Sequence, residues 1–256
     1  MQPALISGPQ GVLGVDDGGR GGLPVILLHS LAGSSAHWSG TLERLRPTQR
    51  AIALDLRGHG RSEPPKNGDY SIAGMAGDVE AVVDTLDIRK FILVGHSMGG
   101  GMALAYAGDH PDRIAGLLLV DPIGDGTQIP ADEARTFLES LDASYDSMIQ
   151  DYWSRIAGPN RTVRERLLSD LRAMPREAVV LVLHEVMRFD PGPALARYRG
   201  PILSVVTPSN DQAFSLHRVG KGFPHHIAEG TGHWIQLDKP EEFNRLLHDF
   251  VKTIKT

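Results

Sequence analysis

A serine hydroxyl becomes a nucleophile at neutral pH when a histidine takes its proton and a carboxylate fixes that histidine. Three residues of this 256-residue chain have types and positions suited to those roles: Ser97, Asp211 and His233. Ser97 is the centre of Gly95-His96-Ser97-Met98-Gly99, a G-x-S-x-G pattern. The apolar run Phe91 to Val94 leads into it, and the small-residue run Met102 to Ala107 leads out. Strand, sharp turn and helix are therefore expected, with a strained serine at the apex, as in a nucleophile elbow. Gly95 and Gly99 carry no Cβ where strand and helix would collide. The Met98 N–H, directly after the serine, is a natural donor to an oxyanion.

For these side chains to meet, they must sit at the carboxyl ends of neighbouring parallel strands, where the loops of an open α/β sheet converge. The sequence supplies such strands. Val25–Leu28, Ala51–Leu54, Phe91–Val94 and Ile114–Val120 are apolar runs, as expected of strands covered on both faces, and the sheet is expected to resume at Ile202–Val206, which has Ser204 at its centre. A last short strand is expected over 223–228. A hairpin is expected over residues 4–16, turning at Pro9-Gln10-Gly11. Apolar residues at helical spacing predict a helix over 72–86 with Ser71 as its N-cap. Another is predicted over 239–254, with Asp238 and Glu241 as a capping box. Asp211 follows the strand at 202–206, and His233 follows the final strand within Gly230-Thr231-Gly232-His233-Trp234. Residues 123–199 break the alternation. They read as helices over 131–142, 144–157, 162–174 and 176–188, punctuated by prolines. The run Ala178 to Leu183 fits strand or helix, and its helical neighbours favour helix. The expected organisation is an α/β core over 1–122 and 200–256, with a mostly parallel central sheet flanked by helices and a helical cap inserted at 123–199.

Composition narrows the function classes. A net charge of −5 offers no footprint for nucleic acid. The chain has no cysteine, which excludes thiol catalysis, disulfides and iron–sulfur clusters. No apolar run approaches a membrane span, and the first residues do not read as a secretion signal. The expected location is cytoplasmic. The proposed chemistry needs no metal and no cofactor.

The ordered set Ser97, Asp211, His233 resembles the triad order of α/β-hydrolases. The loop His29-Ser30-Leu31-Ala32-Gly33, the segment Asp55 to Ser62, the Gly95–Gly100 elbow and the stretch Gly232 to Pro240 are similar to that family's motifs in the same order. The resemblance covers nearly the whole chain outside 123–199, where the family carries its cap. It implies that the Leu31 N–H is the second oxyanion donor beside that of Met98. The family commonly has His-Gly where this chain has His29-Ser30, so Ser30 could add a hydroxyl to the pocket. The resemblance also makes Asp121 a rival acid, since some members use the end of the strand after the elbow. The turn chemistry of Asp121-Pro122 favours Asp211. His29 and His96 resemble scaffold positions. Ser30, Met148, Trp153, Met187 and Trp234 are the expected substrate-pocket residues.

The implied function is a serine hydrolase acting on a small-molecule carboxylic ester or lactone through an acyl-enzyme. C–C bond hydrolysis of a vinylogous diketone is one alternative, suggested by the Gly232-His233-Trp234-Ile235-Gln236 ending. A non-catalytic small-molecule receptor of the same fold is another.

Overall fold

The structure is a computed structural model that describes residues 4–220 and 222–254. Eight strands build one sheet: β1 (Ala4–Ser7), β2 (Val12–Gly18), β3 (Val25–Leu28), β4 (Ala51–Leu54), β5 (Phe91–His96), β6 (Ile114–Val120), β7 (Ile202–Val206) and β8 (His225–Ile227). Their order is β1-β2-β4-β3-β5-β6-β7-β8. The expected hairpin is present, with β1 antiparallel to β2 and Ser7 opposite Val12. β2 also runs antiparallel to β4, and every later pairing is parallel. The final strand is shorter than the apolar pattern suggested, since only His225–Ile227 pairs with β7.

The continuous apolar runs are explained by the two faces they serve. Ile26, Leu28, Ile52, Leu54, Leu93, Leu117 and Leu119 pack on one side, with helices α2 (Ile72–Thr85) and α3 (Met98–Asp109). Val25, Leu27, Ala53, Ile92, Val94, Leu118 and Val120 pack on the other, with α1 (Ser39–Leu45) and α11 (Pro240–Thr253). Alternate side chains thus enter opposite apolar layers, so a polar residue at either parity would be buried. The Ser71 hydroxyl accepts from the Gly74 N–H at 3.0 Å and caps α2 as expected.

Between β6 and β7 the chain inserts α4 (Ala131–Ala143), α5 (Tyr145–Ile156), α6 (Arg161–Ala173), α7 (Arg176–Val186) and α8 (Gly192–Arg197). The ambiguous run at 178–183 lies in α7, where Ala178, Val179, Val182 and Leu183 are buried at helical spacing. Helix α8 forms where the proline–glycine cluster read as a break. Pro193 occupies its first turn, where the missing N–H costs no intrahelical bond. Two further short helices, α9 (Leu216–Val219) and α10 (Ile235–Asp238), lie in the loops after β7 and β8.

The expected capping box is not formed. The N-cap of α11 is Lys239, with Pro240 following. The Asp238 carboxylate instead turns back to accept from the Gly232 N–H at 2.7 Å and the Thr231 hydroxyl at 3.2 Å. This aspartate braces the loop that carries His233, a competing use that local spacing did not reveal.

Candidate active site

Ser97 lies between β5 and α3 with φ 55° and ψ −117°. Those angles match the first central position of a type II′ turn, where glycine is the usual occupant. Such a conformation costs a serine of order 1–3 kcal/mol, and it persists because its surroundings over-determine it. The Ser97 N–H donates to Val120 O at 2.9 Å, and Ser97 O accepts from Gly100, Gly101 and Ile123. A Cβ on Gly95 would strike the Gly99 carbonyl. One on Gly99 would lie 2.5 Å from the His29 carbonyl oxygen. Both glycines are therefore required by close approach of backbone.

The structure brings His233 to Asp121. The His233 Nδ1–H donates to Asp121 Oδ2 at 2.6 Å, and the Asp121 side chain is 2% exposed. Asp121 directly follows β6 with φ 40°, like Ser97 a non-glycine residue with positive φ. Its Oδ1 accepts from the Thr207 N–H at 2.7 Å and from Asn210 Nδ2 at 3.2 Å. The Thr207 hydroxyl lies 3.1 Å from both carboxylate oxygens. Several donors converging on one carboxylate fix its orientation.

The expectation for Asp211 is corrected. Its carboxylate is taken by Arg218 in a two-pronged pair, at 2.8 and 2.7 Å, and by His217 Nε2 at 2.8 Å. These partners, Arg218 first and His217 second, hold its pKa well below the usual carboxylate range. Asp211 fastens the β7–α9 loop, and Asp121 is the carboxylate on the histidine. Thr207 and Asn210 were missed as its supports. They sit after β7, the strand that neighbours β6, so adjacency of strands was the available signal.

The loop after β3 contributes the N–H groups of Ser30 and Leu31. Neither the Leu31 N–H nor the Met98 N–H meets an acceptor among the described residues, and both residues border the cavity above Ser97. Ser30 Oγ accepts from Trp234 Nε1 at 3.1 Å, so the serine that replaces the family's glycine ties this loop to the residue after His233. The His233 N–H donates to Ile156 O at 2.8 Å, at the end of α5, which links the inserted segment to the same loop.

Three buried histidines are scaffold. His29 Nδ1–H donates to Ser30 O at 2.7 Å, while its Nε2 accepts from the Leu56 N–H at 2.9 Å. His96 Nε2–H donates to His233 O at 2.9 Å, while its Nδ1 accepts from Gln236 at 3.1 Å. His59 Nδ1–H donates to Arg57 O at 2.9 Å. The patterns at His29 and His96 require neutral rings, because one nitrogen of each accepts. Burial depresses all three pKa values, to about 4 for His59 and well below 6.5 for His29 and His96. Their unfolded counterparts would titrate near 6.5. The unfolded chain therefore binds more protons as pH falls from about 6.5 toward the folded values, and stability falls with it. For His59 alone the loss between about pH 6.5 and 4 is roughly 3 kcal/mol. Urea unfolding midpoints measured from pH 7.5 down to 5 are expected to decline from about 6.5 onward. A midpoint that rises or stays level over that range would contradict the neutral-ring assignment.

Above Ser97 lies a cavity of about 390 Å³. Ser97, Asp121 and His233 border it from the sheet edge, with Ser30, Leu31, Met98 and Trp234. The inserted segment supplies Tyr152, Trp153, Ile156, Leu183, Val186 and Met187. Four of the expected pocket residues, Ser30, Trp153, Met187 and Trp234, line it. Met148 does not. It lies on another face of α5, bordering a shallow groove with Ser147, Asp151, Ser154 and Arg155. Tyr152 also lines the cavity, and Phe214 and Asn210 line it without any signal in the sequence pattern.

Comparison with known proteins agrees with this architecture. Residues 24–172 match the family model described as the alpha/beta hydrolase fold. The chain is 30% identical over 242 residues to the dihydrolipoyllysine-residue acetyltransferase component of the acetoin cleaving system of Cupriavidus necator, covering 90% of this chain and 63% of that protein. It thus spans under two thirds of that relative. Among solved structures it resembles an N-acyl homoserine lactone degrading enzyme at 25% identity and a TM-score of 0.83, covering 96% of this chain and 100% of the other. A thermophilic esterase from Thermogutta terrifontis superposes with a TM-score of 0.82 at 23% identity over the full length of both chains, a likeness of fold. Among the described residues no helix is long and apolar enough to cross a membrane.

Proposed function

Because the chain belongs to the alpha/beta hydrolase fold family, we propose that it is a serine hydrolase that cleaves carboxylic esters or lactones with the triad Ser97, His233 and Asp121. The observation that carries this reading is the His233 Nδ1–Asp121 hydrogen bond of 2.6 Å beside a serine held at φ 55°. A carboxylate on Nδ1 fixes the tautomer in which Nε2 carries a lone pair, the form able to take a proton.

Ser97 Oγ attacks the carbonyl carbon while His233 Nε2 takes its proton. The carbonyl oxygen becomes an oxyanion held by the free N–H groups of Met98 and Leu31. Collapse expels the alcohol, which leaves with the proton from His233. Water then attacks the acyl-serine, giving a proton to His233; as the second tetrahedral intermediate collapses, His233 returns that proton to Ser97 Oγ and the acid is released. Throughout, Asp121 orients the ring and stabilises its cation. Residues 123–199 act as a cap, since they supply the outer wall of the cavity, and the rest of the chain is the catalytic core. The mainly apolar lining and modest volume suit a small to medium acyl ester. The lactone-degrading and esterase neighbours are in keeping with that choice.

A fluorophosphonate probe tests the assignment. The expected result is one covalent adduct per chain, located by peptide mass analysis on the segment containing Ser97, with parallel loss of p-nitrophenyl ester turnover. An unlabelled protein, or an adduct on another serine, would remove the basis of the reading.

A further inference from the structure

We propose that Tyr152 is a specificity-determining residue whose hydroxyl donates a hydrogen bond to a second acceptor oxygen in the substrate, so that the site favours uncharged esters or lactones carrying such an oxygen. The proposal deepens the hydrolase reading and rests on it for the identity of the reacting group.

The polar groups around the cavity are almost all committed. The Ser30 hydroxyl accepts from Trp234, and Asn210 Nδ2 is spent on Asp121 and Pro122 O. Ser209 Oγ pairs with Thr207 Oγ1, and Asp121 is filled by His233, Thr207 and Asn210. Ser97, His233 and the oxyanion N–H groups belong to the reaction. Two donors differ: Trp153 Nε1 is buried without a partner among the described residues, and Tyr152 borders the cavity and makes ring contacts, yet its hydroxyl bonds to no described residue. Tyr152 is half-buried and its hydroxyl is not among the sealed, unpaired atoms, so a ligand that displaces solvent from it must supply an acceptor or leave the phenol unpaired.

The ring is already held in place. Phe137 meets it edge-on at 6.0 Å, Trp153 does so at 5.8 Å, and the Arg155 guanidinium lies 5.9 Å from its centroid. A donor fixed in advance loses little entropy when the ligand binds. Burial, with a smaller contribution from Asp121, raises the hydroxyl's pKa, so it stays a donor at neutral and mildly alkaline pH. No lysine or arginine lines the cavity among the described residues, so nothing there compensates a substrate carboxylate. The volume of about 390 Å³ lies within the range of small-molecule sites. That leaves room for an acceptor beyond the ester group.

A matched substrate series tests this. p-Nitrophenyl pentanoate is compared with analogues in which one acyl methylene, at position 3 or 4, is an ether oxygen. Each is assayed with the wild type and with Tyr152→Phe, which keeps the packed ring. The variant is expected to lower kcat/KM for at least one ether ester by about three- to tenfold, and to leave the all-methylene ester within about twofold. The ratio between proteins cancels the intrinsic reactivity of each ester. Equal effects on every ester would overturn the proposal. Binding of the same esters to Ser97→Ala, with and without Tyr152→Phe, followed by tryptophan fluorescence, separates the two claims. If the wild type turned over none of these esters while the binding preference for the ether was lost with Tyr152→Phe, the hydrolase reading would be refuted and the donor role would stand. Normal turnover with no Tyr152-dependent preference in either assay would do the reverse.

Discussion

Alanine in place of Ser97 is expected to lower kcat/KM for an activated ester by about 10⁴-fold or more while leaving the fold intact. Among the described residues, the other serines that line the cavity, Ser30 and Ser209, are bonded to Trp234 and Thr207. Any residual rate would come from the Met98 and Leu31 N–H groups, which still polarise a bound carbonyl. Stability should hardly change, because the Ser97 hydroxyl bonds to no described residue and the methyl of alanine occupies the same strained backbone. Ser97→Gly separates catalysis from strain. Glycine accepts φ 55°, ψ −117° freely, so this variant should also be inactive yet more stable than Ser97→Ala by about 1 kcal/mol. Ester turnover and thermal midpoints of the two variants are the measurements. Substantial turnover by Ser97→Ala would end the assignment. Equal midpoints for Ala and Gly would show that the turn carries little strain.

The elbow was legible in the sequence because the demands on it are local. The glycines at 95 and 99, the apolar run before Ser97 and the small residues after it are all set by backbone approaching backbone. The strands were legible because burial on both faces leaves no polar position in Ile26–Leu28 or Leu117–Val120. His233 was legible as the imidazole in a glycine-flanked loop after the last strand. The carboxylate was harder to place, since Asp121 and Asp211 both follow parallel strands, and strand-end position cannot separate them. The choice is made by their partners: Thr207 and Asn210 turn donors toward Asp121, while Arg218 and His217 occupy Asp211. Those partners lie across two strands in one case and around a loop in the other. Met148 failed for a related reason. Helix α5 directs Trp153 and Ile156 to the cavity, and its twist carries Met148 to a different face.

Asp121→Asn and Asp211→Asn should therefore behave very differently. The first is expected to lower kcat/KM by about 10³- to 10⁴-fold, and the second to stay within about threefold of the wild type. The donors around Asp121 explain the size of the first effect. Thr207 N–H and Asn210 Nδ2 both point at Oδ1, so an asparagine at 121 places its carbonyl oxygen there. Its NH₂ then faces His233 Nδ1, where the wild type has the second carboxylate oxygen. An amide donor at that point selects the imidazole with a lone pair on Nδ1 and a proton on Nε2. That tautomer cannot take the Ser97 proton, and no negative charge remains to stabilise the imidazolium. The effect should fall on kcat more than on KM, because the cavity walls are unchanged and the acceptor that is lost serves the transition state. Asp211→Asn removes a charge from Arg218 and His217 at a partly exposed loop, so the expected cost is looser anchoring of the β7–α9 segment. If Asp211→Asn were the inactive variant and Asp121→Asn active, the His233–Asp121 bond would have no catalytic part, and the loop after β7 would have to rearrange before turnover. If both retained turnover, His233 would need neither carboxylate, and the base would have to be sought elsewhere along the cavity.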